Sequence, residues 1–359
     1  MRSPLILLLF ALPFLLVTGC SNLLYISKLG WHQAHITFHS IPIQEVLKDK
    51  QVGPEAQEKI LFIQDVKRYG EERLGLKRTK SYSRFYEVNG PILYVVTASE
   101  KDRLKLYSWT FPIIGKVTYK GFFTKEEALK EQRRLDEKGY DTCLQPSEAY
   151  STLGWFKDPI FSSFLKWDRG NLANLILHEM THATVYFKGK TEFNEQLATF
   201  VGNQGAIDFL KEKYGPESRE SLEAVQTQED DLLFSRWIDR ACERLSDFYA
   251  LRISKEEKLK EREEIFQSLQ MEFREMKSRF KTDWYQNFDQ TPLNNAVLLA
   301  HRQYFHRLEA FRRVYEYLRC DLKRVIELMK EIWASGEEPS ASLGQWMKER
   351  GLTVSSSLR

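Results

Sequence analysis

The sequence predicts an α+β, predominantly helical protein, in which a small sheet precedes a central helix and a long helical region follows it. Three observations predict this class. Pro91 to Thr97 and Tyr107 to Tyr119 are rich in β-branched and aromatic residues, the composition of strands. Leu172 to Gly202 carries apolar residues at helical spacing around His178-Glu179-x-x-His182. After Gly215 the chain is highly charged, yet Leu259, Phe266, Phe273 and Phe280 recur every seven residues with Leu269 and Met276 between them. That repeat is a coiled-coil-like seam.

Taken in order, residues 1–19 hold one charge, Arg2, and an apolar run from Leu5 to Val17. The run is short for a bilayer span and reads as the core of a signal peptide. Val17-Thr18-Gly19-Cys20 closes it like a bacterial lipobox, so Cys20 is expected to become the lipidated first residue of the mature chain. Ser21, rather than aspartate, points to the outer membrane facing the periplasm where a host has two membranes. Loss of Arg2 with this segment takes the formal charge from +3 to +2, which implies no strongly charged partner. Basic residues are mixed with acidic ones throughout, leaving no basic face for nucleic acid.

The rest is expected to divide into a helical segment (20–90), a central region (91–215) and a helical C-terminal region (216–359). In the first, Ile43 to Lys50 and Ala56 to Leu74 have helical spacing. His32, His35 and His39 lack a carboxylate beside them and read as solvated or packed. In the second, Thr124 to Gly139 is a helix that opens near a capping box and stops at glycine. Ala149 to Gly154 is extended and ends at the turn Asp158-Pro159. Ser151, Thr152, Leu153 and Gly154 are expected to form a cleft rim whose free backbone groups pair with an extended peptide.

His178 and His182 stand at i and i+4, so on a helix both rings leave one face a turn apart. Two neutral imidazoles so placed can reach one ion at about 2.0–2.1 Å, the Zn–N distance. Glu179 points about 100° round the helix and is the candidate general base. Asn171 is the expected cap of this helix and Gly189 its stop. Catalytic zinc usually takes three protein ligands. The candidate third is Glu195, on a second helix from Phe193 to Leu210 that returns after the turn Lys188-Gly189-Lys190, with Thr191 as its cap. Glu192, one turn earlier, is the competitor. The bland alternative is a buried helix with two hydrogen-bonded histidines.

In the C-terminal region Leu222, Val225, Leu232, Trp237, Ala241, Leu245 and Phe248 are expected to form the mate of the seam, making 222–280 a helical hairpin that packs or binds a partner. Asn294-Asn295-Ala296 opens a helix that carries Tyr304 and, further on, Phe311 and Tyr315. Tyr304 is the candidate donor to a developing oxyanion, with His301 and His306 as rivals. Cys143, Cys242 and Cys320 have no metal-ligand spacing and read as small buried residues.

These pieces together resemble the bacterial lipoprotein family of putative aminopeptidases, within the gluzincin group of zinc peptidases. The matching segments are the lipobox, Trp109 with Phe111-Pro112, Tyr150 to Phe156 with Asp158-Pro159, His178-Glu179-x-x-His182, Phe193-Asn194-Glu195-x-x-Ala198, and Asn294-Asn295-Ala296 with Tyr304. The resemblance implies a zincin-like core, one Zn²⁺ on His178, His182 and Glu195, and Glu179 as catalytic glutamate. Thr110 stands where the family pattern has cysteine, so no disulfide is expected there. The Gly-x-Met-Glu-Asn segment that grips a free α-amine in well-known zinc aminopeptidases is missing. The expectation is a lipid-anchored zinc peptidase acting on peptides, an aminopeptidase as the resemblance implies. A zinc hydrolase of non-peptide amides or esters, or a lipid-tethered binding protein, is the alternative.

Overall fold

The computed structural model describes residues 25–49, 52–111, 115–147 and 157–352. Cys20, Pro112 and Ser151 to Gly154 lie outside the described residues, and with them the lipobox and the expected rim strand. Helix α1 (25–39) is followed by β1 (Ile41–Pro42), α2 (Ile43–Val46) and α3 (Pro54–Glu72). Then come β2 (Arg84–Tyr86), β3 (Leu93–Ser99), β4 (Trp109–Phe111), β5 (Gly115–Val117), β6 (Tyr119–Phe122), α4 (Lys125–Glu137), β7 (Asp141–Ser147) and β8 (Ile160–Phe161). The remainder is helical: α5 (Arg169–Thr184), α6 (Thr191–Tyr214), α7 (Arg219–Tyr249), α8 (Lys255–Met276), α9 (Asn295–Phe305), α10 (Leu308–Tyr317), α11 (Leu322–Ser335) and α12 (Pro339–Glu349). The predominantly helical class with small sheets holds. No helix among the described residues is long and apolar enough to cross a membrane.

The sheet that walls the cleft has strand order β6-β3-β7, antiparallel throughout, with Val95 opposite both Gly121 and Gln145. Alternation along β3 gives it two faces. Val96 and Ala98 bury against Ala128 and Leu135 of α4, while Leu93 and Val95 border the cleft. Thr124 caps α4 by accepting from the Glu127 N–H, and Gly139 ends the turn after it at φ +82°. β1, β2 and β8 form a second small sheet, with β2 and β8 parallel.

Helix α5 runs through the main core, with Leu172, Ile176 and Met180 buried beside α3 and α6. Asp168, not Asn171, caps it: its carboxylate accepts the Asn171 N–H at 2.9 Å. The helix also ends at Thr184, before Gly189. Val185 is extended (φ −134°, ψ 120°) and drops into the core with Phe187, which draws the chain out of the helix. Asn194 then brackets Phe187, accepting its N–H and donating to its carbonyl, both at 2.9 Å. Gly189 instead takes the positive φ (+74°) of the turn into α6, and Lys190 rather than Thr191 occupies the cap position.

Helices α5 and α6 approach unusually closely because α6 offers small residues to α5. A Cβ on Gly202 would lie 2.8 Å from Asn174 Oδ1, 2.9 Å from the Asn174 carbonyl oxygen and 3.2 Å from His178 Cβ. One on Gly205 would lie 2.8 Å from Leu177 Cδ1.

The seam of α8 forms as the heptads predict, burying Phe266, Leu269, Phe273 and Met276, and Phe280 follows after a 3₁₀ turn. Its mate differs from the expected one. Trp237, Ala241 and Leu245 of α7 meet α8, whereas Val225 and Leu232 pack on the main core and Leu222 is 45% exposed. Helix α7 is long enough to serve two cores, so its apolar face divides between them. The pair also packs on α9 through Ala296, Val297 and Ala300, and Arg262 makes a buried two-pronged bond to Asp141 of β7 at 2.8 and 2.9 Å.

Helix α9 is fixed to the sheet at its start. The Asn294 side chain caps it at the Val297 N–H and donates to the Thr142 carbonyl at 3.0 Å. Asn295 donates to the Glu100 carbonyl at 2.9 Å, and its own N–H meets Asp141 at 3.1 Å. Helix α9 stops at Phe305, and Arg307 at φ +60° turns the chain into α10, which carries Phe311 and Tyr315. Cys143 and Cys242 are buried free thiols, while Cys320 is exposed, held at φ +57° in a surface turn.

Candidate metal centre

The close contact of α5 with α6 brings His178, His182 and Glu195 together. The two Nε2 atoms are 3.1 Å apart, and Glu195 Oε2 is 3.3 Å from each. Among the described residues this is the only group of three ligating side chains whose donor atoms lie within 4.8 Å of one another. The donor triangle suits a tetrahedral ion: ligands at about 2.0–2.1 Å from zinc are separated by a little over 3 Å. Two nitrogens and one carboxylate oxygen are also a donor set that zinc takes. His182 is buried, and its Nδ1 has no hydrogen-bond partner among the described residues.

The electrostatics follow from that proximity. Burial pushes the Glu195 acid up, but the two imidazoles, His182 foremost, outweigh it and hold the carboxyl well below the usual carboxylate range. Burial pushes His182 down, and the Glu195 carboxylate reverses the direction and raises it. The ionised Glu195 thus favours a positive charge beside it, and a divalent cation held by the three groups can supply it.

Glu192 does not join them. Its carboxylate accepts from Gln196 Nε2 at 3.1 Å and lies 4.0 Å from Arg302, on another side of α6. His32, His35 and His39 are elsewhere: His32 stacks on Phe123, and His35 meets the Tyr86 hydroxyl at 3.1 Å. Asn194 is structural, since its bracket on Phe187 fixes the turn that delivers Glu195.

The triad opens into a cleft of about 1280 Å³ walled by β3, β6, β7, α5, α6 and α9. Glu179, half-buried, borders it beside the triad. Tyr304 projects into it from α9, 37% exposed, with its ring centroid 6.5 Å from that of His178. The Glu195 carboxylate and then burial raise the Tyr304 phenol well above its usual value. Of the two histidine rivals, His301 borders the cleft, with Nε2 3.3 Å from Gln145 Nε2, and burial pushes it down to about 4. His306 is buried away from the cleft, with Nδ1 2.5 Å from Asp239 Oδ1.

Several cleft residues escaped the sequence reading. Tyr119 of β6 and Tyr186 also border the cleft, and burial together with Glu195 raises both phenols. Asn174 stands a turn before His178, and Asn203 two turns after Glu195. That helical spacing on the ligand faces was the signal available for them.

A family model described as "Putative aminopeptidase" matches residues 24–342. No curated protein and no solved structure matches the chain.

Proposed function

The chain belongs to that putative aminopeptidase family, a peptidase family at the level its description gives, and from this premise we propose a zinc-dependent peptide-bond hydrolase, lipid-anchored through Cys20 in the bacterial cell envelope and facing the periplasm. The observation that carries the reading is the 3.1–3.3 Å triangle of two imidazole nitrogens and one carboxylate oxygen, with Glu179 in the same cleft. In this reading His178, His182 and Glu195 hold one zinc ion. The ion supplies Lewis-acid polarisation of a substrate carbonyl when bound.

The chain's own groups do the rest. Glu179 accepts a proton from the attacking water at its carboxylate and hands it to the leaving amine as the peptide bond breaks. Its place one residue after His178 keeps it on the same helix as two ligands, so its reach is fixed by the same packing. Tyr304 donates its phenolic proton in a hydrogen bond to the developing oxyanion, and its raised pKa keeps that proton in place at neutral pH. The sheet wall supplies an edge strand, β7, along the cleft, which supports binding of an extended peptide.

Metal analysis of the purified chain, combined with a peptide-library digest read by mass spectrometry, tests the reading. About one zinc per chain and chelator-sensitive peptide cleavage are expected. A metal-replete chain that cuts no peptide in the library refutes it.

A further inference from the structure

Beyond the triad the cleft is also lined by Asn174 of α5, Asn203 of α6 and Asp231, a carboxylate that the proposed chemistry does not use. The Asn174 amide donates to Asn203 Oδ1, and Asn203 Nδ2 donates to Asp231 Oδ2 at 2.8 Å. The Tyr285 hydroxyl donates to Asp231 Oδ1 at 2.5 Å. Asp231 borders the cleft and is only 8% exposed. Among the described residues no lysine, arginine or histidine forms an ion pair with it.

Its neighbour shows the contrast. Asp230 is fully used by the structure, accepting the N–H groups of Lys281 and Thr282 and the Thr282 hydroxyl at 2.7–3.0 Å. Asp231 has two neutral donors and a cavity. A buried carboxylate without a cation is costly, and burial pushes this one up to about 6. The lining repeats the imbalance away from the triad: Glu195 is met by His178 and His182, but among the described residues no lysine or arginine borders the cleft to meet Asp231. A carboxylate-bearing substrate end would find no counter-charge beside Asp231.

We propose that Asp231, held by Asn203 and Tyr285, is a subsite for a cationic nitrogen of the ligand that occupies the cleft. For the word substrate this rests on the hydrolase reading above; for binding it does not. The geometry limits which nitrogen. Asn203 is eight residues from Glu195 on one helix, so the subsite lies about 12 Å along the seam from the triad. An extended peptide covers that distance in about three residues. The α-amine of the residue whose carbonyl is cut is too near the triad to reach Asp231. The cation is either the guanidinium or ammonium on the long stem of an arginine or lysine beside the cut, or the α-amine of a peptide with about three residues before it.

The test is peptide binding to the zinc-loaded full chain carrying Glu179→Gln, read by calorimetry. Acetylated peptides with arginine are compared with the same peptides carrying citrulline, its neutral counterpart, and neutral peptides with a free amine are compared with acetylated ones. A charge-assisted hydrogen bond predicts a preference of about tenfold to a hundredfold in one of the two comparisons, and which one identifies the source of the cation. Asp231→Asn should bring that preference to about one. Asp231→Glu, which keeps the charge and moves it by one methylene, should keep a reduced preference, and it carries the test if the first variant fails to fold. Equal binding in both comparisons, or a preference untouched by both substitutions, overturns the assignment. Discrimination without any peptide cleavage by the unsubstituted protein would sink the hydrolase and leave the subsite standing. Cleavage without discrimination would do the reverse.

Discussion

The spacing of α5 and α6 sets the donor triangle, and Gly202→Ala tests this directly. The added methyl would fall 2.9 Å from a backbone carbonyl oxygen and 2.8 Å from the Asn174 side chain, and the backbone atom cannot swing away. The helices must therefore separate by roughly half an ångström, an overpacking cost of about 1–3 kcal/mol. Alanine also gains about 1 kcal/mol over glycine in a helix, which would blur the result. Gly344→Ala supplies the correction, because Gly344 lies in α12 with nothing within 4 Å of its added Cβ. The difference between the two variants isolates the clash. Denaturant melts in chelator should show Gly344→Ala slightly stabilised and Gly202→Ala about 1–3 kcal/mol below it. Because two donors ride on α5 and one on α6, zinc affinity measured against a competing chelator should fall about tenfold in Gly202→Ala alone. A Gly202→Ala protein as stable as the control, with unchanged zinc affinity, would refute the claim that this contact sets the site.

Four further outcomes follow from the same contacts. Glu179→Gln should keep its zinc and lose at least about a hundredfold in kcat, as expected for a general base, and normal turnover would remove that role. Tyr304→Phe should lower kcat by about a hundredfold with KM nearly unchanged, and an unaltered kcat would pass the oxyanion role to Tyr119 or Tyr186. Arg262→Met strands Asp141 as a buried charge and should cost about 3–5 kcal/mol in denaturant melts, whereas Arg262→Met with Asp141→Leu should recover part of that loss, the remainder reflecting the Asn295 N–H that Asp141 accepts. Asp231 holds its proton to about 6 when folded, against the usual 3.8 when unfolded, so the stability it leaves intact below pH 3.8 is lost as pH rises to 6. Asp231→Asn should therefore be about 3 kcal/mol more stable than the unsubstituted chain at pH 8 and close to it at pH 3.5; equal melting at both pH values would contradict this.

What the sequence made legible was local. His178, Glu179 and His182 are defined by spacing on one helix, and Glu195 needs only a turn and a second helix to reach them. Of the cleft wall only β3 was readable, and with it the heptads of α8, since a period of two or seven is visible within a few residues. β7 and most of β6 lie outside the expected strands, and the stretch Tyr107 to Tyr119 mainly formed the separate β4-β5 pair. Boundaries set by packing were not. Asp168 outcompeted Asn171 because the chain enters α5 from a 3₁₀ turn that puts the earlier carboxylate over the free N–H groups. Helix α5 stops short of Gly189 because Val185 and Phe187 are needed in the core, a demand no local signal carries. Leu222 is apolar at the right spacing and yet exposed, because α7 crosses from one core to another and its face rotates off the seam. Asp231 was the least visible of all. It sits in Glu229-Asp230-Asp231, on a helix whose charges otherwise look solvated, and its meaning depends on Asn203, 28 residues away.

The polar seam between α5 and α6 explains why the site is built on helices that a core would otherwise fill with apolar side chains. Asn174, His178 and His182 repeat every fourth residue on one helix, and Glu195, Thr199 and Asn203 do so on the other. Six polar side chains in a buried stripe would be ruinous unpaired. They are tolerable because the stripes face each other and pair across the gap: His178 and His182 with Glu195, and Asn174 with Asn203. Small residues at Ala198, Gly202 and Gly205 let the backbones come close enough for those bonds. The same closeness that satisfies the polar groups also fixes two imidazoles and a carboxylate at ligand separation. A looser pair of helices would lose both at once, so the donor triangle cannot relax without also breaking the polar pairs across the seam.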